Sequence, residues 1–177
     1  ISTALGFPVM QDVRHHGLSW RAWTLHSKIT LSATIALLLV GFVAIAAKEW
    51  TNPATLGPMH VGTKLLNAAF HSVMPRTAGF NSLDVGAFRG ETLLMNYVLM
   101  FIGGGSAGTA GGIKITTFVV LLAVVASEVG GRRDAEIFGR RLGYGVERQA
   151  LTVTVAASVL IMLASMYILA ITSLPME

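Results

Sequence analysis

Cysteine is absent from this chain of 177 residues, and charged side chains are scarce. Without cysteine the chain can form neither disulfides nor thiolate metal sites. Charged residues make up 12% of the sequence, compared with about 25% in soluble domains. Apolar residues reach 53%, and together the two fractions indicate an integral membrane protein.

The chain also lacks the marks of a signal peptide and of a nucleic-acid-binding protein. Residues 1–8 carry no charge ahead of their apolar side chains, so they do not resemble a signal peptide. Because the first residue is Ile1, we expect the chain to be a piece of a longer polypeptide. The net charge of +4 is divided among short basic clusters between apolar runs, a pattern that reports topology and argues against a nucleic-acid partner.

Residues 29–47 and 150–172 are two uncharged apolar runs. Their lengths are close to that of a membrane-spanning helix, which needs about 20 residues. Basic side chains concentrate before the first run and between residues 128 and 149, and they are Arg14, Arg21, Lys28, Arg132, Arg133, Arg140, Arg141 and Arg148. Because positive loops stay on the cytoplasmic side, we predict that residues 9–28 and 128–149 are cytoplasmic.

A shorter apolar segment, Val61 to Met74, lies between these runs and stops at Pro75. At about 14 residues it is too short to span the membrane. The first apolar run leads out of the cytoplasm, and residues 92–127 supply one crossing back to it. Since residues 128–149 are also predicted to be cytoplasmic, the segment between must enter and leave the membrane on the same side. The sequence therefore predicts a re-entrant pore helix and returning loop over residues 61–81; an external amphipathic helix on the membrane surface is the alternative.

Residues 92–127 are too long for one span, because an unbroken helix would measure about 54 Å against a hydrocarbon core of about 30 Å. Glycine interrupts the segment, and each interior glycine costs a helix about 1 kcal/mol relative to alanine. We predict half-helices over 92–102 and 113–127 around an unwound loop, which is tolerated at membrane depth only when it is buried in protein or lines a cavity. The loop consists of Gly103, Gly104, Gly105, Ser106, Ala107, Gly108, Thr109, Ala110, Gly111 and Gly112. Lys114, at the start of the second half-helix, either reaches toward water or faces the pathway.

The spacing of Gly103, Gly105 and Gly108 matches a dinucleotide-binding pattern. The pattern lies in a predicted membrane helix and not in a βαβ unit, so we reject a dinucleotide site here.

The loop after the predicted pore helix suggests ion binding, because Thr77, Ala78, Gly79 and Phe80 follow Arg76 there. In a potassium-type filter, backbone carbonyls replace the water shell of the ion, and glycine permits the conformations this requires. The negative end of the pore helix would favour a cation there.

These two segments, residues 75–81 and 103–114, resemble the TrkH/TrkG/KtrB superfamily of potassium transporters. The resemblance implies an all-α integral membrane fold: one repeat of helix, pore loop and helix with a broken inner helix (residues 29–127), plus one further transmembrane helix (150–177). The repeat would be the third of four, followed by the first helix of the fourth, and residues 1–28 would hold the end of a preceding inner helix and a cytoplasmic linker. Asn81 stands where the potassium-channel signature has its second glycine, which puts strict selectivity for K⁺ over Na⁺ in doubt.

By the same resemblance, the carbonyls of Thr77 and Ala78 would bind K⁺, Gly79 would be the filter glycine, and Gly103 to Gly112 with Lys114 would form the gate. It implies uptake of potassium across the cell inner membrane, no covalently bound cofactor, and three partners: membrane lipid, a cytoplasmic nucleotide-binding regulatory subunit and a second copy of the full-length membrane subunit. Two other readings stay open, a secondary transporter with a substrate site at the discontinuous helix and a packing module without transport function. Enzymatic activity is not expected, since no carboxylate is spaced with His15, His16 and His26 to suggest a metal site.

Overall fold

The computed structural model describes residues 6–17, 19, 22–76, 80–105, 111–131 and 135–172. In these residues the α-helices are α1 (Phe7–His16), α2 (Leu25–Glu49), α3 (Val61–Val73), α4 (Gly90–Phe101), α5 (Ile115–Val129) and α6 (Tyr144–Ile171). A 3₁₀ turn covers Val85–Ala87, and two short strands, β1 (Glu136–Ile137) and β2 (Arg140–Arg141), precede α6. The predicted all-α membrane fold is confirmed: α2 and α6 are each long and apolar enough to cross a membrane.

The chain divides into two compact units, of which the first ends at Thr116 and the second begins at Thr117. In the first unit α2 is the central element, and α1, α3 and α4 all pack against it. Its N-terminus is capped by Thr24, whose hydroxyl accepts a hydrogen bond from the Ser27 backbone nitrogen at 3.3 Å. Small side chains let neighbouring membrane helices approach closely, and Gly41 of α2 lies against Ser72 of α3 and Leu99 of α4.

A hydrophobic cluster closes the end of this unit near the C-terminus of α2. It joins α2 and α3 to the two loops that flank α3, and its buried members are Ile45, Leu56, Ala68, Leu83 and Phe88. Residues of the first loop turn back on themselves, since the Asn52 carbonyl accepts from the Gly57 nitrogen at 2.7 Å. The cluster therefore fixes both ends of the short helix α3 to the long helix α2.

Helix boundaries differ from the sequence-based expectation mainly at the membrane edges. Helix α2 extends beyond 29–47 to include both Lys28 and Lys48, and α6 starts at Tyr144 instead of residue 150. Charged side chains mark the edge of the apolar core, but the backbone continues as helix into water because its hydrogen bonds are internal. In the second unit, β1 and β2 form an antiparallel hairpin with Glu136 opposite Arg141, an element that the sequence did not predict.

Candidate functional site

Helix α3 carries two ionisable side chains that are hard to place in lipid, and the structure buries both against partners. Lys64 is 9% exposed. Its Nζ donates to the Trp50 carbonyl oxygen at 2.9 Å and lies 5.0 Å from the centroid of the Trp50 ring, a distance at which a cation is attracted to the ring face. The charge of Lys64 is thus held near the N-terminal end of α3.

His71 occupies the last turn of α3 and is 2% exposed. Its Nε2 lies 3.3 Å from Nδ2 of Asn96, which belongs to α4 and is 5% exposed. The imidazole also meets the Phe88 ring edge-on, with centroids 4.7 Å apart, an arrangement that aromatic pairs prefer. Asn96 was not predicted from the sequence, because a single asparagine in an apolar helix has no spacing pattern that would identify its partner.

Beyond α3 the chain makes a turn through Met74, Pro75 and Arg76, and the Arg76 nitrogen donates to the Val73 carbonyl at 3.2 Å. The predicted filter residues Thr77, Ala78 and Gly79 lie outside the described residues. Phe80, the fourth predicted filter residue, is 71% exposed. It lines a cavity of about 360 Å³ together with His71, Asn96 and apolar side chains of α4.

The predicted gate loop begins where α4 ends at Phe101, and α5 starts after it at Ile115. Gly103, Gly104 and Gly105 are buried, Gly111 and Gly112 are exposed, and Lys114 is half-buried. Ser106, Ala107, Gly108, Thr109 and Ala110 lie outside the described residues. The part of the loop that the structure describes is therefore its base.

That base is closed by three backbone hydrogen bonds, which we call the neck. The Gly103 nitrogen donates to the Ile113 oxygen at 2.8 Å, the Ile113 nitrogen donates to the Phe101 oxygen at 2.9 Å, and the Ile115 nitrogen donates to the Gly104 oxygen at 3.1 Å. Ile102 and Ile113 pair as an isolated parallel bridge, and both side chains are 2% exposed. The neck thus joins the end of α4 to the first residue of α5 although the helix is broken between them.

Glycine is required on both sides of the neck. A Cβ added to Gly103 would collide with the carbonyl oxygen of Gly111, and one added to Gly112 would lie 2.6 Å from the Phe101 oxygen. Gly112 also has φ +72°, in the left-handed region that side chains disfavour. Sequence reasoning identified these glycines as helix breakers but not as residues of a close backbone crossing.

A buried carboxylate at the C-terminus of α2 ties this assembly together, and sequence reasoning missed it. Glu49 is 0% exposed. One oxygen, Oε1, accepts from the Arg89 nitrogen at 3.0 Å and the Thr92 hydroxyl at 2.6 Å. The other, Oε2, accepts from the Asn52 amide at 2.6 Å and the Thr55 hydroxyl at 2.7 Å. Glu49 therefore joins α2 to the following loop and to the start of α4.

Comparison with known proteins shows similarity over nearly the whole chain. Residues 5–175 match the family model of the TrkH cation transport proteins. The chain is 40% identical over 163 residues to Ktr system potassium uptake protein B of Bacillus subtilis (strain 168), covering 92% of this chain and 36% of that protein. It is 38% identical over 169 residues to the protein of the same name from Vibrio alginolyticus, covering 95% and 37%.

A third relative is the potassium/sodium uptake protein NtpJ of Enterococcus hirae, 39% identical over 153 residues, with 86% of this chain and 33% of that protein covered. The chain spans about a third of the length of these curated relatives. The family and the three relatives carry the names of transport proteins, in agreement with the expectation that the chain is not an enzyme.

Proposed function

The chain belongs to the TrkH family of cation transport proteins, and on that premise we propose that it supplies one pore-loop repeat of a potassium uptake protein of the cell membrane. In this proposal α2 is the outer helix of the repeat, α3 is the pore helix, and α4 and α5 are the two halves of a broken inner helix. Carbonyls of Thr77 and Ala78 bind K⁺ at the filter around Gly79. Residues Gly103 to Gly112 obstruct the pathway until they move.

The observation that carries the proposal is the closed base of the loop between α4 and α5. The neck joins the residues after α4 to the residues at the start of α5 by backbone hydrogen bonds that are not helical. Irregular backbone of this kind belongs at membrane depth only beside protein or an aqueous cavity. The loop follows α4, and α4 comes after the short helix α3, whose C-terminal end favours cations.

The names of the relatives mention both potassium and sodium, and this bears on the selectivity of the proposed filter for K⁺ over Na⁺. Two carry the name of potassium uptake and one that of potassium/sodium uptake. We propose K⁺ as the transported ion, with Na⁺ excluded less strictly than in a filter with two glycines, because Asn81 takes the place of the second.

The topology follows from the distribution of positive charge. We place residues 9–28 and 128–149 in the cytoplasm, with the hairpin of β1 and β2 in the second of these segments. The exposed side chains of Arg140, Arg141 and Arg148 form a positive surface there, suited to a cytoplasmic nucleotide-binding regulatory subunit. We also propose that the full-length membrane subunit is embedded in lipid as a homodimer.

The test is potassium flux through the full-length protein in vesicles. Deletion of residues 105–111 should raise K⁺ flux, because it removes the obstruction while leaving Gly103 and Gly104 in the neck. Unchanged or lower flux in a deletion variant that folds would contradict the gate. In the same deletion background, Gly79→Ser should lower the ratio of K⁺ to Na⁺ flux; an intact ratio would favour a transporter whose substrate site lies at the discontinuous helix.

A further inference from the structure

The pore helix and the inner half-helix are separated by the cavity of about 360 Å³ near Phe80. On the pore-helix side its walls are Met74 and Pro75, and on the α4 side they include Leu93, Tyr97 and Met100. Both α3 and α4 pack against α2. A cavity removes packing contacts from the side chains that line it, so the spacing between the C-terminal end of α3 and α4 depends on the direct contacts between them.

The contact between His71 and Asn96 crosses this gap at the cavity wall. Their side chains are 3.3 Å apart at His71 Nε2 and Asn96 Nδ2, and both are buried. Within the described residues, the remaining polar atoms, His71 Nδ1 and Asn96 Oδ1, have no hydrogen-bond partner. Each side chain thus depends on the other, since losing one partner leaves an unsatisfied polar group buried.

The two residues stand immediately ahead of the two functional segments of the proposed repeat. His71 is in the last turn of α3, before the filter residues Thr77 to Gly79. Asn96 is in the second half of α4, before Gly103 and the neck. A direct contact between two helices is one kind of link that can carry energetic coupling between two sites.

We propose that the His71–Asn96 pair is a positioning pair that couples the filter to the gate. It holds the end of the pore helix at a fixed distance from the inner half-helix, so that the filter keeps its ion-selective geometry while the gate loop moves. The inference rests on the function proposed above. Neither side chain touches the ion; both act through the backbone segments that follow them.

The sharpest test compares two substitutions of His71 that differ in reach. In His71→Gln the side-chain amide extends to the position of Nε2 and can still meet Asn96, whereas in His71→Asn the amide stops near the position of Nδ1. We expect the K⁺ to Na⁺ flux ratio of the full-length protein to stay near the wild-type value in His71→Gln. In His71→Asn it should fall about five-fold, the factor that corresponds to one neutral hydrogen bond.

Asn96→Leu should lower the flux ratio as His71→Asn does, and the double variant should lower it no further, because both substitutions remove the same contact. Leu99→Ala is the matched control: Leu99 is a fully buried residue of α4 that packs near Gly41 of α2. It should lower the thermal stability of the transporter and leave the ratio unchanged.

Equal effects of His71→Gln and His71→Asn, or additive effects of His71→Asn and Asn96→Leu, would overturn the pair. So would failure of both His71→Asn and Asn96→Leu to fold, because the pair would then be needed for folding and not for positioning. A wild-type protein that carries no K⁺ would instead refute the proposed function. Wild-type transport with unchanged selectivity in the folded variants would refute only the coupling.

Discussion

Glu49 is a buried charge that holds together the residues around the C-terminal end of α2. Its two oxygens accept four hydrogen bonds, from a backbone nitrogen, two hydroxyls and an amide. Hydrogen bonds to a charged group are each worth about 1.5–3 kcal/mol, and a buried donor left without an acceptor adds a penalty. The carboxylate therefore stabilises the start of α4 and the loop after α2 together.

Replacing Glu49 with glutamine keeps the shape of the side chain but turns one acceptor oxygen into a donor. The hydroxyls of Thr55 and Thr92 can rotate to accept, whereas the amide of Asn52 and the nitrogen of Arg89 cannot. We expect Glu49→Gln to lower the free energy of unfolding of the full-length protein by about 2 kcal/mol, measured by reversible unfolding in mixed micelles.

Glu91→Gln is the control for loss of charge alone. Glu91 pairs with Lys48, and both side chains are more than half exposed, so water replaces the lost contact. Stability should change little in Glu91→Gln. A loss of stability as large as that of Glu49→Gln would show that the general loss of negative charge, and not the buried network, explains the result.

The neck makes the junction of α4 and α5 sensitive to a single methyl group. In Gly103→Ala the new Cβ would collide with the Gly111 carbonyl, and relief of the collision requires the two backbone segments joined by the neck to separate. We expect the K⁺ flux of the closed transporter to rise several-fold, because the loop loses its anchor, as measured in vesicles without the regulatory subunit.

Gly62→Ala is the matched control, since an added Cβ at Gly62 meets nothing within 4 Å. Gly62 lies in α3, where alanine is favoured over glycine by about 0.5–1 kcal/mol, so flux should stay unchanged and stability should not fall. If Gly103→Ala behaves like Gly62→Ala, the neck does not anchor the loop.

These elements were predictable to the extent that apolar runs and glycine determine them. The runs predicted α2, α3 and α6, and the glycines predicted a break before α5, because hydrophobic length and helix propensity act locally. The neck depends on Ile102 and Ile113 meeting across the loop, which no local pattern specifies. The hairpin turn escaped detection because Phe138 adopts φ 51° beside Gly139 at φ 72°, and a positive φ is uncommon for an aromatic residue.

In the candidate site, too, the local sequence identifies some residues, whereas their partners depend on the packing of the helices. Lys64 and His71 are ionisable side chains in an apolar helix and so need polar partners, but those partners, the Trp50 carbonyl and Asn96, are brought to them by the packing of α3 and α4 on α2. Glu49 had no predicted role, and its carboxylate accepts four hydrogen bonds. The filter roles of Thr77, Ala78 and Gly79 stay predictions.

Much of the surface of the chain is apolar, as expected for one part of a larger membrane protein. Along α6, side chains such as Leu160, Met162 and Met166 are about two-thirds exposed. The chain spans about a third of its relatives, so we expect lipid and the further repeats of the full-length protein to cover these faces. In the proposed architecture one repeat supplies one filter strand, and a closed pore requires the other repeats.

The absence of cysteine from the chain allows a direct test of its topology in the intact protein. Two variants are made in a full-length background without other cysteines. Ala54→Cys places a thiol at an exposed position in the loop after α2. Tyr144→Cys places a thiol in the first turn of α6, where Tyr144 is 79% exposed. A thiol reagent that does not cross membranes should label Ala54→Cys in intact cells and Tyr144→Cys only after the cells are opened, because positive loops are retained inside. Labelling of both from outside would place the hairpin of β1 and β2 on the external face, and it would contradict the parity argument from which we predict that α3 is re-entrant.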